Sequence, residues 1–196
     1  MLKISLIRHS KTKGNLEKRY IGSTDQSLCI EGIDLIKSKS FPNAEIVYCS
    51  PLARCVETAR LIYKDIKPKI YSNLQECDFG LFENKNYTEL KEDKNYQKWI
   101  DSNGSMGFPS GETTEKFQNR CISAFDEIIN DLLIKNVNSC AMIVHGGTIM
   151  AILDEYSMPH KDFFDWQVEN CSGFIIQLDK KLWIKGDKKV TVVELI

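Results

Sequence analysis

Leu2, Ile4 and Leu6 alternate with Lys3 and Ser5, and Ile7 extends the run, a period of two that predicts a largely buried strand. It stops at the polar trio Arg8-His9-Ser10. A second apolar run over 140–144 predicts another buried strand, and it too stops at a histidine, His145-Gly146-Gly147. Between these runs the pattern predicts a short helix over 31–39, a short strand over 45–49 and a brief strand at Ile70. Ser50-Pro51 has the form of a helix start, serine as cap and proline at the first helical position. Leu52, Val56, Ala59, Tyr63 and Ile66 follow at helical spacing, which predicts a helix over 51–66.

Further along, a helical pattern near 88–99 sits in an aromatic, polar stretch that ends in a Gly/Pro/Ser-rich loop over 104–111. Phe117, Cys121, Ala124, Phe125, Ile128 and Leu132 define a long amphipathic helix, and 148–156 a shorter one. Phe174, Ile176 and Leu178 alternate, as does 190–195, predicting an antiparallel pair around Lys185-Gly186-Asp187. The lysines of 180–189 then belong to a solvated hairpin. Strands and helices alternate along most of the chain, which indicates an α/β sandwich.

Composition narrows the picture. The 196 residues are 42% hydrophobic and 27% charged, consistent with one domain over 1–196 carrying a small cap-like insertion at about 80–111. A net charge of −1 gives no global field for nucleic acid or a membrane surface, so neither partner is expected. Anion binding has to come from a few placed cations, which favours a small phosphorylated metabolite. The seven cysteines include no Cys-x-x-Cys pair, and the N-terminal apolar run is too short for a secretory segment; a reducing cytoplasm is the expected setting. No run approaches the roughly 18 apolar residues of a membrane span. Metal-ligand spacing and a P-loop are both missing, and no cofactor is implied. His160, before Lys161-Asp162, reads as a surface-turn residue.

The chain has three histidines, and two of them end apolar runs. In open α/β sheets the ligand crevice lies at the carboxyl ends of the strands. Taken singly, each histidine is as well explained as a hydrogen-bonded structural residue; the pair, with two arginines, is what points to a phosphoryl site. Arg54 adds to it. In or just beyond the first turn of the predicted helix it faces the positive end of the dipole, unfavourable by about 0.3–1 kcal/mol unless an anion binds there. A neutral His9 can attack phosphorus, and Arg8 and Arg54 can offer paired donors to phosphate oxygens.

Leu6-Ile7-Arg8-His9-Ser10 resembles the Arg-His-Gly signature of the histidine phosphatase (phosphoglycerate mutase-like) superfamily. Further matches follow in order: Asn15, Ser50-Pro51-Leu52-x-Arg54, Leu74-x-Glu76, Phe79-Gly80, Pro109-x-Gly111-Glu112 and His145-Gly146-Gly147. The resemblance implies a three-layer α/β/α sandwich with a mostly parallel central sheet. It also implies a metal-independent phosphomonoesterase that needs no cofactor. His9 becomes the phosphohistidine, Arg8, Arg54 and His145 complete the phosphate pocket, and Glu76 is the proton donor. Asn15, Gly22 and Gly146 are expected to contact the substrate.

Two positions depart from the family pattern: Ser10 stands in place of glycine, and Phe82-Glu83-Asn84 in place of Trp-Glu-Gly. Within the superfamily, Arg19-Tyr20-Ile21-Gly22-x-Thr24-Asp25 and Glu76-Cys77-Asp78-Phe79-Gly80 are most similar to alpha-ribazole phosphatases of cobalamin assembly. Phe79, Phe82, Tyr87 and Trp99 could stack on a flat heterocycle or equally pack the cap onto the sheet. A broad sugar-phosphate phosphatase, a phosphoglycerate mutase and a non-catalytic phospholigand-binding domain are the alternatives.

Overall fold

The computed structural model describes residues 1–102, 104 and 106–196. Positions 103 and 105, both within the expected insertion and the second also within its Gly/Pro/Ser-rich loop, lie outside the described residues.

Six strands form one sheet in the order β3-β2-β4-β1-β5-β6. They are β1 (Leu2–Arg8), β2 (Ile46–Cys49), β3 (Lys69–Ile70), β4 (Ser139–Val144), β5 (Gly173–Leu178) and β6 (Thr191–Leu195). The first four run parallel, while β5 pairs antiparallel with both β1 and β6. The alternation along each strand sorts the core into two faces. Leu2, Ile4 and Leu6 of β1 and Cys140, Met142 and Val144 of β4 pack under α6 (Thr114–Ile134) and α7 (Gly146–Tyr156). Ile7, Ala141 and Ile143 point the other way, against Cys55 and Ala59 of α3 (Ala53–Ile62). Helices on both sides of a largely parallel sheet make the three-layer α/β/α sandwich; the short α1 (Lys13–Leu16) and α2 (Ile30–Lys37), the latter where the pattern predicted a helix over 31–39, precede β2. Burial on both faces is why β1 and β4 read as near-continuous apolar runs.

Several boundaries differ from the sequence pattern. The helix expected over 51–66 is only Ala53–Ile62, with Leu52 as N-cap and no capping bond from its own side chain. Its first N–H, on Ala53, donates instead to Asp25 Oδ1 at 2.8 Å, so the cap arrives from a distant loop. At the other end Tyr63 leaves the helical region, and its hydroxyl donates to the Pro42 carbonyl. The helical stretch near 88–99 is two helices, α4 (Tyr87–Leu90) and α5 (Lys94–Asp101), because Asp93 caps a new start at Asn95 and Tyr96. The β5–β6 connection is not a plain solvated hairpin: it holds α8 (Lys180–Ile184), whose Trp183 is buried against Phe125 and Tyr156. Among the described residues no helix is long and apolar enough to cross a membrane.

Candidate active site

Strands β1 and β4 are parallel neighbours with Arg8 opposite Val144, so both chains leave the sheet at the same point. His9 follows one strand, and His145 follows the other as the N-cap of α7. Their rings meet edge to face with centroids 5.1 Å apart, and both are buried. His9 Nδ1 lies 2.7 Å from the Ser10 carbonyl. A carbonyl can only accept, so the proton sits on Nδ1 and the lone pair on Nε2. Burial, and then the cations Arg54 and Arg8, push the His9 pKa well below its ordinary value. The result is a neutral imidazole with a nucleophilic nitrogen.

Arg54 is the second residue of α3 and is fully buried. Its Nη1 donates to Thr24 O at 2.9 Å and its Nη2 to Gly22 O at 2.8 Å. Arg8 Nη1 donates to Val168 O at 2.7 Å. The Nε of each arginine is buried with no hydrogen-bond partner, so both guanidiniums retain donors for an anion. The amino-terminal end of α7 opens at the same place, adding the positive end of a helix dipole. His145 shares a 2.8 Å hydrogen bond through Nε2 with Ser50 Oγ, which accounts for the hydroxyl expected to cap α3. Burial foremost, then Arg54, also lowers the His145 pKa.

Glu76 lies across from these groups. Its Oε1 accepts from Cys77 N at 3.0 Å and its Oε2 from Gly147 N at 3.3 Å. Burial raises its pKa above the ordinary carboxylate value, although those hydrogen bonds and Arg54 oppose the shift. A Cβ at Gly147 would meet Glu76 Oε1 at 2.5 Å and Phe117 Cζ at 2.8 Å, so any larger residue there displaces the carboxyl group or the ring. Arg8, His9, Glu76 and Gly146 form the inner wall of a cavity of about 680 Å³. Tyr20, Phe79, Trp99, Phe108, Phe163 and Phe164 also line it, so the cavity combines charged and aromatic surface. Arg54 and His145 are fully buried and do not themselves line this cavity.

The expected substrate contacts divide. Gly146 and Asn15 are on the wall, but Asn15 Oδ1 is committed to Thr12 N at 3.0 Å, which leaves its amide NH2 for a ligand. Gly22 is not on the wall. Its carbonyl holds Arg54, and its N–H donates to Glu83 Oε1 at 3.1 Å, so it acts on the arginine instead of on a substrate. Ser10 keeps an ordinary backbone conformation and donates its hydroxyl to Gly32 O at 2.7 Å, so the missing glycine costs no strain. Asn84 does take a left-handed φ of 57°, which asparagine tolerates where the family pattern has glycine. Phe82 is buried in the aromatic cluster and Tyr87 is exposed, so neither reaches the cavity wall.

Among the residues that escaped the sequence reading, two hold His9 and Arg54 in place. Asn170 Nδ2 donates to the His9 carbonyl at 3.0 Å, anchoring the His9 backbone from the loop before β5. Glu83 accepts from the N–H groups of Gly22, Ser23, Thr24 and Phe79 and from Thr24 Oγ1 at 2.7 Å. It therefore holds the loop whose carbonyls hold Arg54. The sole signal was its place in the Phe82-Glu83-Asn84 variant triplet. Glu83→Ala is expected to orphan several of these donors, costing about 2 kcal/mol and lowering Tm by roughly 4–8 °C. An unchanged thermal midpoint would contradict this role. Among the described residues no group of three histidine, cysteine or acidic side chains is placed to hold a metal ion.

A family model described as the histidine phosphatase superfamily (branch 1) matches residues 4–186. An adenosylcobalamin/alpha-ribazole phosphatase of Escherichia coli K12 is 28% identical over 161 residues, covering 73% of this chain and 77% of its own. A broad-specificity phosphatase of Saccharomyces cerevisiae is 28% identical over 166 residues, covering 78% and 69%. The crystal structure of the alpha-ribazole phosphatase from Shigella flexneri superimposes with a TM-score of 0.82 over 99% of this chain and 96% of that one. At 22% identity that likeness establishes the fold.

Proposed function

The chain belongs to the histidine phosphatase superfamily (branch 1), and from that membership we propose a phosphomonoesterase that works through a phosphohistidine on His9. The observation that carries this reading is the neutral His9, its Nε2 free, beside two guanidiniums that each keep an unpaired Nε–H. Those donors, with His145 behind them, hold the phosphate oxygens while the Nε2 lone pair attacks phosphorus in line. The ester P–O bond breaks, its electron pair stays on the leaving oxygen, and protonated Glu76 supplies the proton. In the second step the Glu76 carboxylate takes a proton from water, whose oxygen attacks phosphorus. The P–N bond then breaks, its electron pair returns to Nε2, and inorganic phosphate departs.

As substrate we propose alpha-ribazole 5'-phosphate, a small phosphorylated metabolite ending in a flat heterocycle. The aromatic residues on the cavity lining and the name of the Escherichia coli relative support it. The yeast relative supports a broader phosphatase as the second reading. Seven free thiols fit a reducing cytoplasm as the site of action.

The test is an acid-labile, base-stable phosphoenzyme trapped during turnover, with alpha-ribazole phosphate, 3-phosphoglycerate and common sugar phosphates compared in the presence of a chelator. No phosphoenzyme and no turnover on any of them favours a binding domain. Movement of phosphate between hydroxyls without net release favours a mutase.

The pH dependence follows from the two shifts. His9, facing Arg8, Arg54 and His145, must be neutral, and its lowered pKa puts the acid limb of kcat/KM well below 6.5. Glu76, facing Arg8, Arg54 and the Gly147 N–H, must be protonated, and its raised pKa puts the alkaline limb above 4.5. A bell bounded by these two limbs is expected, and Glu76→Gln should remove its alkaline limb. A rate that climbs steadily into the alkaline range contradicts the assignment.

A further inference from the structure

Glu76 stands on irregular chain, past the short 3-10 turn Ser72–Leu74, where no helix or sheet ladder fixes it. A proton donor must nevertheless be held to within a fraction of an ångström, since a misplacement of about 1 Å can cost roughly 10²-fold in rate. What steadies this segment is Arg120, on the second turn of α6. A guanidinium has five N–H donors, and every one of them is used here. Nη1 donates to the carbonyls of Asn73 at 3.0 Å and Gln75 at 2.6 Å, and Nη2 to the carbonyl of Glu76 itself at 2.9 Å. Nε and Nη2 also form a two-pronged pair with Glu112, at 2.7 and 2.8 Å.

Glu112 is tied in as well. Its N–H donates to Asp78 O at 2.9 Å, so the pair grips the chain on both sides of the carboxyl group. The guanidinium also lies 5.0 Å from the centre of the Phe117 ring, the ring against which Gly147 packs. Gly147 in turn donates to Glu76 Oε2. One cation thus braces the backbone of Glu76 directly and, through Phe117, the helix end that orients its side chain.

We propose that Arg120, locked to Glu112, is a positioning residue for proton transfer by Glu76: it sets where that carboxyl group stands relative to the leaving oxygen. The inference rests on the role given to Glu76 above. It also supplies a purpose for the Gly111-Glu112 motif, which the phosphate pocket itself does not use. Lysine at position 120 keeps a charge for Glu112 but, as a single point of donation, cannot span three carbonyls and two carboxylate oxygens.

The leaving group provides the test. Phenol ionises near ~10, as tyrosine does, and needs a proton when it leaves; 2,4-dinitrophenol ionises far more readily and needs none. Single-turnover release of each phenol from its phosphate ester, with enzyme in excess, isolates the first step. Arg120→Lys is expected to slow release from phenyl phosphate by about 10²-fold and from the dinitrophenyl ester by less than about fivefold, within the range general acids contribute. The enzyme concentration at half-maximal rate should hold for both. Glu112→Gln should move the same way by less, and it decides the matter if the lysine variant does not fold.

Equal slowing of both esters, or no slowing of either, overturns the proposal. Glu76→Gln run in parallel locates the failure. If it too lacks leaving-group selectivity, the role of Glu76 falls and the clamp with it. If it is selective and neither clamp variant is, only the clamp falls.

Discussion

His9→Ala is expected to reduce turnover of an aryl phosphate to background, a loss of at least about four orders of magnitude, with or without a chelator. The reason is geometric. Nδ1 is spent on the Ser10 carbonyl, so Nε2 is the nitrogen that can form the bond to phosphorus. Removing the ring leaves Arg8 and Arg54 in place, and the variant should still bind inorganic phosphate. Turnover and phosphate binding therefore separate: titration calorimetry should show binding where the assay shows no product. The expectation also has a structural side, because the His9 backbone is held independently by Asn170 Nδ2 at 3.0 Å and by its own N–H to Val144 O at 2.9 Å. The fold should persist. A His9→Ala protein with full activity would remove the nucleophile from the mechanism.

Arg54→Ala carries the next largest effect, a fall in kcat/KM of about 10³–10⁵-fold, the range seen when an arginine that neutralises a transferring phosphoryl group is lost. Phosphate affinity should fall with it. The loss has two sources: the buried charge disappears, and the carbonyls of Gly22 and Thr24 lose their donor. Arg54→Lys separates them. It restores a cation but not the planar fork, so it should recover only part of the rate. A drop of less than tenfold for Arg54→Ala, with the loop 21–24 intact by protection from hydrogen exchange, is the outcome that removes Arg54 from the phosphate pocket.

Much of the fold was legible along the chain wherever burial was two-sided. Strands β1 and β4 are apolar on both faces because helices cover both, so their runs stand out against the charged residues that follow. Helix α6 was legible because its buried residues recur at helical spacing, Ala124, Phe125, Ile128 and Leu132 in the main core and Phe117 and Cys121 in a smaller cluster beside the site. The start of α3 was not, because its first N–H is satisfied by Asp25. Ser50-Pro51 has the right local form, but the hydroxyl goes to His145, whose position depends on the pairing of β4 with β2 and β1. The break between α4 and α5 turns on Asp93 as a cap, a local signal that the aromatic spacing on either side obscured.

The candidate site divides along the same line. Residue types and their order pointed to the imidazoles and the arginines as a phosphoryl site, because few side chains supply such groups, and the family resemblance alone singled out Glu76. Sequence could not reveal that Gly22 serves Arg54 instead of a ligand, that Glu83 holds the loop that holds Arg54, or that Arg120 spends all its donors around Glu76. Each of these contacts joins segments more than thirty residues apart. By itself, then, the sequence determined the buried strands and the chemical inventory at their ends, since hydrophobic period and side-chain chemistry are local properties. Tertiary structure alone decided which nitrogen of His9 is free, that burial more than the arginines lowers its pKa, which way that of Glu76 moves, and what braces each group. Desolvation and hydrogen bonding act through space, between residues that only folding brings together.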